Sequence, residues 1–391
     1  MEDTENQIEQ ANQAEPRIPL KRRLVYAAIL YLTFLFLLAA VEIGTRLTMP
    51  HISSLSLFVV TTQQKAQVAD EKQSGIFEGD PLLLWRLKPN LDHAVWDFTV
   101  LSTNAQHLRS EHVGETIGAK QPGTIRIVCL GDSVTFGFRV PVVWPEKPTE
   151  YDPAWLPFPM LLEKELRAAN PDRKIEVVTM AVPGYTSHQG LAWLQRDIDK
   201  LQPDLLIASF GWNDASFSDV PDREAIRTNW YSVAVRWLID HSQAFAHATH
   251  WLRAKETKAE QQTGQPIVRP AARVPQPEYL NNMIAIEDLA RQRGASVIVV
   301  AAPYRDNDPN APEADLMLQY RVALGTTMRQ RGIPFVELRE LTPEAYPSNE
   351  GWFGERIHPN HMGHRLLAAE LLKVISARRT LGDLKVPELV P

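Results

Sequence analysis

Four short polar segments hold the residue types that acyl chemistry needs. Gly131-Asp132-Ser133 sets a hydroxyl behind a glycine, and Glu355-Arg356-Ile357-His358 sets an imidazole three residues after a carboxylate. A serine hydroxyl is a poor nucleophile until a base takes its proton. His358 could be that base, and Glu355 could accept the other ring N–H and fix the tautomer. Between them in the chain stand Val182-Pro183-Gly184-Tyr185 and Gly211-Trp212-Asn213-Asp214. The backbone N–H groups of Ser133 and Gly184 and the side-chain amide of Asn213 could bind a developing oxyanion, where one donor is typically worth about 2.7–4 kcal/mol. Each residue also has a plainer use. Ser133 could cap a helix, Gly184 and Asn213 could make turns, and His358 could sit at the start of a helix whose first residue is Pro359. Asp132 and Asp214 suit loop-tying hydrogen bonds better than chemistry.

These segments need elements to position them. Ile125 to Leu130, Ile175 to Met180, Leu205 to Phe210, Val297 to Ala301 and Pro334 to Glu337 are short, β-branched-rich apolar runs. Continuous runs of this kind suit strands buried on both faces of a parallel sheet. Helical patterns alternate with them over Met160 to Ala169, Gln189 to Leu201, Met283 to Arg293 and Ala314 to Arg331, and a last helix opens at Pro359. Strands alternating with helices predict βαβ units in a doubly wound sheet. Such sheets carry their sites at the carboxyl ends of the strands. All four polar segments follow a predicted strand, so they converge on one edge.

In order and spacing, Gly131-Asp132-Ser133, Gly184, Gly211-x-Asn213-Asp214 and His358-Pro359 resemble the four blocks of the SGNH (GDSL-like) hydrolases. The resemblance covers roughly Thr124 to Ala377. It implies a three-layer α/β/α flavodoxin-like fold and hydrolysis or transfer of acyl esters. It further implies Ser133 as nucleophile, Gly184 and Asn213 as oxyanion donors, and His358 as base. The family usually has Asp three residues before the histidine, where this chain has Glu355. No Gly-x-Ser-x-Gly elbow surrounds Ser133, which disfavours the α/β-hydrolase reading.

The chain ahead of these blocks has a different character. Leu24 to Ala40 is apolar and uncharged, continues to Ile43 past Glu42, and follows Lys21, Arg22 and Arg23. That length just spans a bilayer core, and the basic cluster should stay in the cytoplasm, leaving the rest outside. A cleaved signal peptide is the rival; Leu37-Leu38-Ala39-Ala40 lacks the small residue three positions before a plausible cut, which favours an uncleaved anchor at residues 21–43. Residues 1–20 are polar and acidic and read as a disordered cytoplasmic tail. Residues 44–123 read as a small strand-containing, membrane-proximal extension, and residues 124–380 as the hydrolase domain. Two stretches interrupt that domain at 138–159 and 215–279. Within the second, Glu224 to Glu256 spaces Trp230, Trp237 and Trp251 as one amphipathic helix, packed on the domain or serving as a lid or interfacial helix.

Composition narrows the function classes. The 391 residues are 44% hydrophobic and 23% charged, as in ordinary globular proteins. A net charge of −6 argues against nucleic acid as a partner. Cys129 is the only cysteine, which rules out an intrachain disulfide and a cysteine-based metal site. His358, His361 and His364 recur at three-residue spacing but lack a supporting carboxylate or thiol cluster, so no metal is assigned. No cofactor is required. The reading is therefore a membrane-anchored, extracytoplasmic (periplasmic) serine ester hydrolase, acting on an ester-bearing small molecule, polysaccharide or lipid. Two alternatives stay open: an O-acyltransferase using a sugar hydroxyl as acceptor, and a catalytically silent envelope-binding domain on the same fold.

Overall fold

A computed structural model describes residues 19–58, 75–144, 147–218, 220–262, 271–303, 312–338, 349–355 and 357–390. Most of the expected tail at 1–20 and parts of the expected interruptions at 138–159 and 215–279 lie outside them.

The apolar run near the start forms one helix, α1 (Leu20–Thr48), with no residue buried. It is long and apolar enough to cross a membrane. Among the described residues the main sheet has five strands, β1 (Ile125–Gly131), β2 (Ile175–Ala181), β3 (Leu205–Ser209), β4 (Ser296–Val300) and β5 (Phe335–Val336). They pair in the order β5-β4-β3-β1-β2, and every pairing is parallel. The registers Ile127↔Leu205 and Ile125↔Ile175 place β1 between β3 and β2. The chain thus reverses its winding at β1, and the crevice at the carboxyl ends of β1 and β3 is the switch point where open α/β sheets hold their ligands.

Continuous apolar runs are explained by helices on both faces. Val128, Leu130, Leu206, Ala208, Val297 and Val299 point to one core, which takes in α4 (Ser187–Leu201), α7 (Gln276–Gln292) and α8 (Pro312–Gln330). Ile127, Cys129, Leu205, Ile207, Ile298 and Val300 alternate to the other, filled by α3 (Phe158–Ala169) and α9 (His361–Arg378). Two-residue alternation along a strand therefore feeds both cores at once. The result is the three-layer α/β/α arrangement expected from the sequence.

Helix starts differ from the hydropathy pattern for local reasons. α3 begins at Phe158 and α7 at Gln276, each with a proline in its first turn, where a missing N–H leaves nothing unpaired. α4 begins at Ser187, where Thr186 and Gln189 form a reciprocal capping box. The last helix opens at His361 rather than Pro359, because the Asn360 side chain accepts from Met362 N at 2.9 Å and Gly363 N at 3.1 Å.

Residues 75–121 do not stand apart from the sheet. Hairpins Phe77–Asp80/Leu84–Leu87 and Ala94–Trp96/Thr99–Leu101 lie here. Phe77, Leu83 and Trp85 join the same apolar cluster as Val128 and Leu130. The stretch expected as a single helix over Glu224 to Glu256 is two, α5 (Trp230–His241) and α6 (Gln243–Gln262), broken at an extended Ser242. Nor does its tryptophan stripe pack on the domain: Trp230, Trp237 and Trp251 are all exposed.

Candidate active site

Ser133 stands where β1 turns into a single helical turn, α2 (Ser133–Phe136). The turn is tight because Gly131 has no side chain; a Cβ there would lie 2.1 Å from Thr135 Oγ1 and 2.8 Å from Ser209 O. Asp132 caps α2, its Oδ1 accepting from Val134 N at 2.9 Å. Helix capping is thus done by Asp132, and the Ser133 hydroxyl is left for another partner. That partner is His358, with Nε2 2.8 Å from Ser133 Oγ.

His358 is presented by the segment before α9. Asn360 N donates to Trp352 O at 2.7 Å and Gly354 N donates to His358 O at 3.0 Å, which closes this segment on itself. Gly363 lets the helix start approach that segment, since a Cβ would come within 2.4 Å of Trp352 O. His358 Nδ1 is bonded to Glu355 Oε1. With the Nδ1 proton donated to the carboxylate, Nε2 carries the lone pair that accepts from a serine O–H. Phe138 packs on the imidazole with ring centroids 4.5 Å apart, and Trp96 packs on Phe138 at 5.5 Å. Residues Ser133, His358 and Glu355 therefore form one hydrogen-bonded chain.

Gly184 adopts φ +85°, a conformation open to glycine and strained for other residues. Its carbonyl accepts from Arg273 Nη1 at 2.9 Å. Arg273 is itself held by Asp222, with Nη2 2.8 Å from Oδ2 and both side chains buried. Asn213 is buried after β3, in the short helix Trp212–Ala215. Its Nδ2 donates to Tyr185 O at 2.9 Å and faces Asp132 Oδ2 at 3.4 Å. The amide thus ties the Gly184 turn to the residue before Ser133. Asp214 accepts from Ser187 N at 3.0 Å and from Ser187 Oγ, binding its loop to the start of α4. Burial pushes the carboxyls of Asp132 and Asp214 up to about 7 each.

The three closely spaced histidines go to three different partners. His361 stacks on Trp155 with centroids 4.0 Å apart. His364 is fully buried, its Nδ1 accepting from Phe158 N at 3.2 Å, and burial near the Arg109 guanidinium holds its pKa down at about 3.

Some residues around the site left no readable mark in the sequence. Arg139 lies against Glu355 and Asp97, with its guanidinium 4.9 Å from the Phe138 ring centroid. Arg109, fully buried, donates to the Phe136, Gly137 and Val140 carbonyls, clamping the loop that leaves α2. Arg273 and Asp222 come from the long interruption after β3.

A parallel α/β sheet with a serine–histidine–carboxylate chain at its switch point defines a class of serine hydrolase. The family model for the GDSL-like Lipase/Acylhydrolase family matches residues 129–366. The chain belongs to this family. It is similar to a GDSL lipase of Mycobacterium tuberculosis, with 34% identity over 99 residues; the match spans 23% of this chain and 37% of that relative. Among solved structures, a GDSL-like lipase from Bacteroides thetaiotaomicron is similar at 14% identity, covering 65% of this chain and 88% of its own, with a TM-score of 0.38. The acetylxylan esterase Axe2 from Geobacillus stearothermophilus is similar at 17% identity, covering 68% and 96%, with a TM-score of 0.38.

Proposed function

We propose that this protein is a membrane-anchored ester hydrolase that works outside the cytoplasm through an acyl-enzyme on Ser133. The observation that carries the reading is the chain from Ser133 Oγ to His358 Nε2 at 2.8 Å and on from His358 Nδ1 to Glu355. Ser133 attacks the ester carbonyl while His358 takes its proton, and Glu355 stabilises the imidazolium that forms. The oxyanion sits among the Ser133 and Gly184 N–H groups and the Asn213 amide, whose long contact to Asp132 is the one it exchanges for the substrate oxygen. His358 then protonates the leaving alkoxide. Water, activated by the same imidazole, releases the acid and restores the serine.

α1 supports the anchor, since none of its 29 residues is buried in the protein and its first turn carries the basic cluster Lys21, Arg22 and Arg23. A tethered enzyme meets esters of its own envelope, so an acylated polysaccharide or a lipid is the proposed substrate. The test is hydrolysis of p-nitrophenyl acetate by the full chain and by Ser133→Ala. A clear rate abolished by the substitution supports the reading; an equal rate in the variant rejects it.

A further inference from the structure

Helix α5 and the first half of α6 leave large apolar side chains exposed. On α5, Arg236 and Ile239 are buried, while Trp230 and Tyr231 are 81% and 65% exposed and Trp237 and Leu238 are 49% and 40% exposed. The buried guanidinium is satisfied by carbonyls, Nε donating to Pro81 O and Nη2 to Arg227 O. Positions 230, 234, 237 and 241, with 231 and 238 beside them, share one side of a helix. The apolar residues therefore form a stripe and are not scattered. α6 adds Trp251 and Leu252, 57% and 54% exposed. Contiguous exposed apolar surface of this kind marks an interaction face.

What that face meets is set by its connection to α1. The Glu42 carboxylate caps α6, accepting from Gln243 N at 2.9 Å, Ala244 N at 3.0 Å and Ser242 Oγ at 2.8 Å. Arg46 Nη2 donates to His241 O at 2.9 Å, closing the end of α5 on the same stretch. The α5–α6 elbow is thus fastened to α1 at residues 42–46. From Leu24 to Val41 the helix rises about 27 Å at 1.5 Å per residue, close to the roughly 30 Å of a hydrocarbon core. The elbow falls where that core gives way to head groups, the level at which Trp and Tyr concentrate.

We infer that the exposed faces of α5 and α6 lie in the headgroup layer of the bilayer that α1 crosses, as a platform fixing the height and tilt of the hydrolase domain. This rests on the reading of α1 as a membrane span. The occupant is lipid, because the elbow between the two helices is fastened to the anchor at Glu42 and Arg46 and the stripe carries interfacial residue types. The same interruption brings Arg273 to the Gly184 carbonyl, so the platform and the site share one segment.

The test uses the full chain in phosphatidylcholine vesicles, with a nitrobenzoxadiazole label on a cysteine at one position at a time. The native Cys129 is buried and burial raises its thiol pKa strongly, so it stays unlabelled. Trp230→Cys, Trp237→Cys and Trp251→Cys replace exposed side chains, leaving the core intact. Phe36→Cys reports on α1, and Asp383→Cys, whose side chain is 82% exposed, reports on open solvent. The platform labels should be quenched by lipids carrying a doxyl group near the head group at least about twofold more than the Asp383 label, as expected about 5–10 Å into the interface. Platform labels that behave like Asp383 while Phe36 is quenched by deep-doxyl lipids overturn the inference and leave the anchor standing. Blue-shifted emission without lipid quenching means that protein, such as a second copy, covers the face, and also overturns it. A Phe36 label that escapes quenching rejects the anchor, and the platform with it.

Discussion

Arg139 Nη1 stands 3.4 Å from Glu355 Oε2, the oxygen that His358 does not use. The carboxylate that holds the imidazole is therefore itself held. Glutamate's extra methylene lets one oxygen reach His358 while the other meets a guanidinium that also lies over Phe138. Their side chains are 32% and 37% exposed, so the ion pair is worth at most about 1 kcal/mol. Arg139→Met should lower kcat/KM about two- to fivefold. Glu355→Gln should do far more, by about 10²–10⁴, because an amide N–H facing Nδ1 favours the wrong tautomer. Steady-state ester hydrolysis by the two variants checks both, and equal losses would mean that Glu355 acts through Arg139 alone.

Ser133 and His358 act as one unit in the proposed mechanism, so their losses should not add. Ser133→Ala, His358→Ala and the double variant are expected to share the same residual rate within about threefold. A double variant much slower than either single one would separate the two roles.

The Arg273–Asp222 pair is 1% exposed at both partners. Removing one partner leaves the other charge buried alone, at a cost of about 3–5 kcal/mol. Arg273→Met should therefore lower the denaturation midpoint sharply, while Arg273→Met with Asp222→Leu should recover most of it. The double variant should still hydrolyse esters slowly, since the Gly184 carbonyl loses its anchor in both. Urea unfolding in detergent and ester turnover measure the two effects separately.

Acid should act on the fold through His364. Burial holds its folded pKa near 3, below the ordinary value of 6.5. Between those values the unfolded chain is protonated there and the folded protein is not, so stability present above pH 6.5 is lost as the pH falls toward 3. Asp132 and Asp214 run the other way: raised to about 7, they favour the fold at low pH and lose that contribution as the pH rises from about 4 through 7. His364→Gln isolates the first effect. Its denaturation midpoint should fall less than that of the unaltered protein between pH 6.5 and pH 4.

Glu42→Ala should loosen α1 from the first turn of α6, which then loses a cap worth about 0.5–2 kcal/mol. Amide exchange at Gln243 and Ala244 should accelerate by about 2- to 30-fold in detergent micelles. Unchanged exchange would mean that the cap carries no strain-bearing load at this junction.

Much of this protein was legible in the chain because its determinants are local or periodic. Strands β1 to β4 emerge from apolar runs that feed two cores by simple alternation, and the apolar length of α1 needs no partner to be recognised. Ser133, Gly184 and Asn213 each follow a strand and His358 stands just before the last helix, so the parallel topology brings them to one edge. The spacing of Glu355 from His358 likewise belongs to a single turn of chain. Arg139, Arg273 and Asp222 were hidden because their partners are fixed by contacts between distant segments, which no local pattern encodes. Arg139 meets a carboxylate 216 residues away, and Arg273 meets a glycine carbonyl 89 residues away. The tryptophans of α5 and α6 show the same division: their helical spacing was visible, but the face they present was decided by Arg236 finding carbonyls inside and by Glu42 capping α6. Sequence determined which elements form and which reactive groups end them. Tertiary structure decided which polar groups hold those reactive groups in place, because a buried charge selects its partner by where the packed chain leaves one.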